Sequence, residues 1–287
     1  MRAISPPQIG FSDVLTSCVG SIADQNLVNK INAVTPQLNL TASDFEVKVA
    51  RADLFQLPAF TGDDSSIIVG QVTKGELKSL YSSHMVPAKK PARSYYDQLK
   101  MSAPLNICPY CGFGHVTTLD HYLAKANYPC FSVLAINLVP SCADCNKGKS
   151  SSLATTKGNQ SLHPYFDHGH FVNEQWLYAE VEQQSSPPSI KFSAIPPTHW
   201  QDIDKERVKS HFKDFKLAAR FKVQAATELA VLKGELEFYF QEQQAAGVAE
   251  ALSRKHAAAR GQHINWWKTA LFHALAHDAW YCSVGFR

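Results

Sequence analysis

Two C-x-x-C pairs, Cys108/Cys111 and Cys142/Cys145, stand 30 residues apart. Four thiols delivered by two tight turns are what a tetrahedral zinc site needs, and no other feature limits the middle of the chain so strongly. A cage of four sulfurs leaves no open coordination position. The expected ion is therefore a structural Zn2+, folding a segment that has little core of its own. Gly112, directly after the second cysteine, eases the first turn. The other three thiols, Cys18, Cys130 and Cys282, are odd in number. That argues against a disulfide framework and for a reducing, cytoplasmic setting.

The 287 residues can form one large domain or two ordinary ones. With 45% hydrophobic and 18% charged residues the composition is globular. A net charge of +3 is too small for the whole-protein field to attract nucleic acid, so any such affinity must come from local clusters. The N-terminal stretch has no basic patch followed by a long apolar run, and no apolar run approaches the roughly 20 residues that span a bilayer. No membrane association is expected.

Four regions follow from the pattern. Residues 1–100 read as a mainly helical N-terminal region, with a periodic helix over 14–33, a cap or turn at Thr41–Asp44 and a short helix over Arg93–Met101. Residues 101–170 carry the cysteines. Residues 171–200 hold two expected strands, 175–181 and 189–195, joined by a proline turn at 185–188. Residues 201–287 read as helical, with an apolar stripe Val208, Phe212, Phe215, Ala219 and Val223. Further helices are expected over 227–246, 249–259 and 264–281, broken at Gly247 and Gly261. The aromatic groups Trp266–Trp267 and Phe238–Tyr239–Phe240 read as core.

Between the cysteine pairs, Val116–Leu119 reads as a strand ending at Asp120–His121. Asn137 leads into a second short apolar run, and the second pair opens a helix carrying Asn146, Lys147 and Lys149. A carboxylate such as Asp120 is a hard oxygen ligand for a Mg2+-like ion. A histidine near neutrality, His121, can accept a proton from an attacking water. Adjacent strand residues face opposite ways, so the two can cooperate only where the strand ends. Lys125, Lys147 and Lys149 flank this point and are placed to contact phosphates. Residues 204–222 hold seven Lys/Arg against three Asp/Glu, a solvated helix face or a surface that tracks a nucleic-acid backbone.

The segments C-P-Y-C-G (108–112), L-D-H-Y-L-A-K (119–125), N-L-V-P-S-C (137–142) and C-N-K-G-K (145–149) together resemble HNH endonucleases of the ββα-metal group, in the zinc-knuckle-braced form. The resemblance implies an α+β fold: a central ββα-metal (HNH) module with a four-cysteine zinc site, flanked by mainly α-helical regions. It makes Asp120 and Asn146 the ligands of a catalytic Mg2+ or Mn2+, His121 the general base, and Asn137 the residue that ties the loop and orients the histidine. Ala124 stands where related segments carry proline, which loosens the loop without removing chemistry. The run L-H-P-Y-F-D (162–167) is similar to a motif of HNH nucleases in anti-phage defence systems such as the Septu nuclease component. There His163 is either a further metal or phosphate contact or an aromatic packing element. The resemblance implies hydrolysis of DNA, with an ATPase subunit as partner. Two other readings remain open: a non-catalytic zinc module that binds nucleic acid or protein, and a nuclease that cuts RNA or tRNA.

Overall fold

The computed structural model describes residues 1–149, 153–184 and 188–287. It is a mixed α/β structure whose strands pair two by two. Two compact units divide the chain: residues 3–166, and residues 167–287 together with Met1–Arg2. The sequence reading draws its boundaries elsewhere, at 100, 170 and 200, so its cysteine-bearing region 101–170 runs past the division at 166/167.

In the unit of residues 3–166, α1 (Phe11–Val19) and α2 (Gln25–Ala50) replace the single helix expected over 14–33. The break falls at Gly20–Asp24, where the Asp24 carboxylate caps α2 by accepting from Asn26 N at 2.9 Å. Thr41–Asp44 is no cap; it lies inside α2. The Thr41 hydroxyl bonds back to Gln37 O at 2.9 Å, and Asp44 pairs with Lys48 one turn on. With these side chains satisfied along the helix, nothing competes with the ladder. Ile31, Val34, Leu38, Ala42, Phe45 and Val49 form its buried face. A small hairpin, β1 (Ile67–Val69) and β2 (Val72–Thr73), leads into α3 (Lys74–Ser79), which a Thr73/Glu76 capping box starts. α3 runs into a π-helical turn, Leu80–Met85, and α4 follows at Arg93–Met101, where the sequence places it.

β3 (Thr118–His121) and β4 (Leu138–Ser141) pair antiparallel, with Asp120 opposite Val139 and His121 opposite Leu138. Pro140 is tolerated because the ladder has only these two strands. α5 (Ala143–Gly148) begins at the second cysteine pair. A β-β-α succession thus surrounds the cysteines, and α5 packs on β3.

In the unit built on residues 167–287, α6 (His170–Asn173) precedes β5 (Leu177–Glu182) and β6 (Ser189–Ala194), an antiparallel pair close to the expected hairpin. Three residues of its expected proline turn, 185–187, lie outside the described residues. Asn265 locks this hairpin to the C-terminal helices: its Oδ1 accepts from Trp176 N at 2.8 Å and Leu177 N at 3.1 Å. α7 (Asp202–Asp214) stops at Phe215, because Lys216 takes a left-handed conformation with φ 52°. This turn resets the helical phase, so the predicted stripe does not continue past it. Ala219 is exposed and Val223 is 65% exposed, while Leu217, Phe221, Ala225 and Leu229 are buried instead.

α8 (Leu217–Gln262) is not straight. Gln243 and Gln244 leave helical geometry, Gln244 with φ 56°, and the chain doubles back. Lys255 then reaches Glu235 at 2.9 Å, a contact impossible along one continuous helix. The sequence places this break at Gly247. The structure puts it three residues earlier and uses Gly247 for close packing instead, since a Cβ there would lie 2.7 Å from Tyr239 O. α9 (Trp267–His277) and a π-helical turn, Tyr281–Gly285, close the chain. Trp267 is buried as expected, whereas Phe238 is 73% exposed rather than core. The expected basic face over 204–222 is partly consumed. Arg207 is buried against Asp167, Lys205 pairs with Asp202 and Lys222 with Glu182. Among the described residues, no helix is long and apolar enough to cross a membrane.

Candidate metal centre

The four predicted zinc-ligand residues come together. Cys108, Cys111, Cys142 and Cys145 are all buried, and their sulfurs lie within 4.8 Å of one another. Cys111 Sγ and Cys142 Sγ are 3.9 Å apart. Zn–S bonds of about 2.3 Å in a tetrahedron require about 3.8 Å between sulfurs, so the cluster fits a zinc ion and is too open for a disulfide. Backbone amides support the sulfurs: Gly114 N donates to Cys111 Sγ and Cys145 N to Cys142 Sγ, both at 3.4 Å. Hydrogen bonding from Cys108 lowers the Cys111 thiol to about 7, whereas burial pushes Cys108 up. Gly112 adopts φ 73°, the left-handed turn that the knuckle requires. Gly114 has no such φ, yet it is needed for space: a Cβ would lie 2.9 Å from Cys142 Sγ. His115 is exposed, outside the cluster.

Asp120 and His121 end β3 beside this cluster. Asp120 is 4% exposed. Its Oδ2 accepts from the Tyr110 hydroxyl at 3.0 Å and lies 3.4 Å from the Lys149 ammonium. Its Oδ1 makes no hydrogen bond among the described residues. Burial pushes the Asp120 carboxyl above the usual carboxylate range, and Lys149 and Tyr110 pull the other way. The His121 ring is held by Ser132 O, 2.8 Å from Nε2. A carbonyl only accepts, so Nε2 carries the proton and Nδ1 of the neutral ring keeps its lone pair. Tyr81, from the π-helical turn, meets the ring edge-on at 4.4 Å. Burial pushes His121 down to about 3, so the ring is neutral near pH 7.

Asn137 is fully buried and uses its whole amide on the loop between the strands. Its Oδ1 accepts from Leu123 N at 2.8 Å, and its Nδ2 donates to Leu123 O and Phe131 O, both at 3.1 Å. Phe131 directly precedes Ser132, so this one side chain holds the segment that fixes His121. The other predicted residues scatter. Asn146 lies on α5 and its side chain makes no hydrogen bond among the described residues. Lys147 is exposed and unpaired among them. Lys125 lies over the Tyr81 ring at 4.5 Å. Lys149 is turned inward, bonded to Tyr122 O and stacked over the Tyr122 ring.

His163 is 2% exposed within an aromatic cluster, 4.1 Å from the Tyr122 ring, and its Nδ1 accepts from Tyr165 N at 3.3 Å. A pocket of about 490 Å³ opens elsewhere along the loop, lined by Leu57, Phe60, Tyr128 and Phe131 among others. None of the residues predicted for chemistry lines it.

Sequence reasoning missed Tyr81, Tyr110 and Ser132. Tyr110 alone carried a signal, its place inside the first C-x-x-C.

Comparison with known proteins adds one relative. The chain is 34% identical over 233 residues to protein Ea31 of Escherichia phage lambda, an alignment covering 80% of this chain and 78% of that protein. The chain belongs to the Ea31 family. No family model matches it, and no solved structure does. In this Ea31-family chain Asp120 and His121 stand at the end of β3, and Cys142 and Cys145 at the start of α5.

Proposed function

We propose that the chain is a metal-dependent endonuclease of the HNH type that hydrolyses DNA phosphodiester bonds. One observation carries the reading. At the end of β3 a carboxylate with an open Oδ1 stands beside an imidazole whose proton is fixed on Nε2, next to a cysteine cluster that could hold zinc.

Asp120 and Asn146 would hold a Mg2+ or Mn2+ ion, both being oxygen donors with capacity left after their protein contacts. Such an ion, when bound, supplies Lewis acidity toward the scissile phosphate. The chain's own residues do the rest. His121 takes a proton from the attacking water on Nδ1, while Ser132 O stabilises the N–H that becomes part of an imidazolium. Tyr81 and the Asn137-tied loop keep the ring in place, so the water meets the phosphate in a fixed geometry. Exposed Lys147 is free to meet the substrate backbone. The basic face over 204–222 is partly taken up by ion pairs among the described residues, and in this reading targeting is assigned to a partner. The defence role and the ATPase partner rest on the Septu resemblance alone and form the outer part of the proposal.

The test is cleavage of plasmid, single-stranded DNA and tRNA by the parent and by His121→Ala, with Mg2+, Mn2+ or EDTA. Metal-dependent cutting lost in the variant supports the reading, and the substrate that is cut settles DNA against RNA. A zinc-loaded parent that binds nucleic acid and cuts none of it, with or without a co-purified partner, would establish the binding module instead.

A further inference from the structure

The two cysteine knuckles meet again on one oxygen. Tyr110 stands between Cys108 and Cys111, is fully buried, and donates its hydroxyl to Asp120 Oδ2 at 3.0 Å. Lys149 ends the helix begun by the second knuckle, its backbone N–H bonded to Cys145 O at 3.1 Å. Its ammonium lies 3.4 Å from the same Oδ2. A carboxylate left to itself rotates broadly about its last torsion. Two donors arriving from separate turns of one cluster remove that freedom. Both take Oδ2, and Oδ1 is left without a protein partner among the described residues.

We propose that Tyr110 and Lys149 are positioning residues through which the cysteine cluster sets Asp120, presenting Oδ1 alone to a divalent cation. The proposal rests on the reading of Asp120 as a metal ligand. It reassigns Lys149, whose ammonium is spent on Asp120, Tyr122 O and the Tyr122 ring rather than on phosphate. It also gives the structural zinc a second role. A zinc ion bound in the cage would hold both donors in register with the carboxylate, in the way outer partners tune first ligands.

The experiment uses the full zinc-loaded chain as parent, Tyr110→Phe, Lys149→Gln, the double variant and Asp120→Asn. Zinc per chain is measured first, then Mn2+ affinity by electron paramagnetic resonance in the presence of a single-stranded oligonucleotide. The Mn2+ dependence of cleavage is read separately from kcat. Each single variant should keep its zinc and bind Mn2+ about tenfold more weakly, the usual order for an outer partner of a metal ligand. The double variant should lose less than the product of the two, since both donors serve one oxygen.

Single variants that keep zinc and bind Mn2+ like the parent overturn the proposal. Should Tyr110→Phe lose zinc, Lys149→Gln decides alone, since its side chain meets no cysteine. A parent that binds Mn2+ no better than Asp120→Asn removes the underlying reading of Asp120, and the proposal with it.

Discussion

Nε2 of His121 lies 2.8 Å from the carbonyl oxygen of Ser132, eleven residues further along the chain. Because the acceptor is backbone, no side-chain change at 132 can abolish the contact, and the tautomer is set by the fold of the loop. Replacing His121 by alanine should therefore remove the proton acceptor and little else. Cleavage should fall by about 10²–10⁴-fold, the usual contribution of a general base. Circular dichroism and melting should stay close to the parent, and added imidazole should restore part of the rate.

Asn137 ties three backbone groups of that loop. Asn137→Ala leaves the partly buried Leu123 N–H and C=O and the buried Phe131 C=O without this partner, a loss of about 2–4 kcal/mol by the cost of orphaned groups. Urea titration should show it. The loop should also become accessible to protease near residues 123–131, and cleavage should fall with it.

Gly114 faces a sulfur from each knuckle, Cys142 Sγ and Cys111 Sγ. In Gly114→Ala the new methyl would stand 2.9 Å from Cys142 Sγ. The sulfurs must spread, so zinc should leave more readily to a chromogenic chelator. Gly148→Ala, which meets nothing within 4 Å, is the matched control and should release zinc at the parental rate.

Arg207 and Asp167 form a two-pronged ion pair at 2.6 Å, both side chains less than a tenth exposed. Arg207→Met removes both of these bonds from a buried carboxylate and should cost about 3–5 kcal/mol. The double change Arg207→Met with Asp167→Leu should recover most of that loss in thermal unfolding.

His263 is pushed down to about 3, chiefly by burial, with the nearby N-terminus and Arg2 adding to it. The unfolded ring titrates near 6.5, so its contribution to stability is complete above that pH and is lost as pH falls toward 3. Between pH 7 and 5 the parent should lose on the order of 1–2 kcal/mol from this group alone. His263→Gln should show a correspondingly flatter decline in urea midpoints over that range.

The cysteine cluster was legible because C-x-x-C is a local pattern with one chemical use, and the β3–β4 hairpin because β-branched runs end at its turn residues. What supports the centre was not. Ser132 contributes a carbonyl, which every residue has. Tyr81 reaches His121 across forty positions from a π-helical turn that leaves no periodic trace. Lys149 looked like a phosphate contact because spacing shows where a lysine begins and not where its four-carbon stem ends. The break in α8 was misplaced for a related reason. Glycine marks freedom, which pointed to a turn at Gly247. The chain instead strains Gln244 and spends the glycine on close packing. Helix stripes failed past Lys216 because one left-handed residue rotates everything after it.

Laid out straight, the 46 residues of α8 would make a rod of roughly 70 Å. Doubling back at Gln243–Gln244 halves that reach and gives each arm the other as a wall. Both α9 and β6 lie against the folded helix, so the bend gathers α8 into a core it shares with them. A cut in the bend would leave two pieces still clasped side by side, and such a lesion would show on a denaturing gel long before it showed in solution.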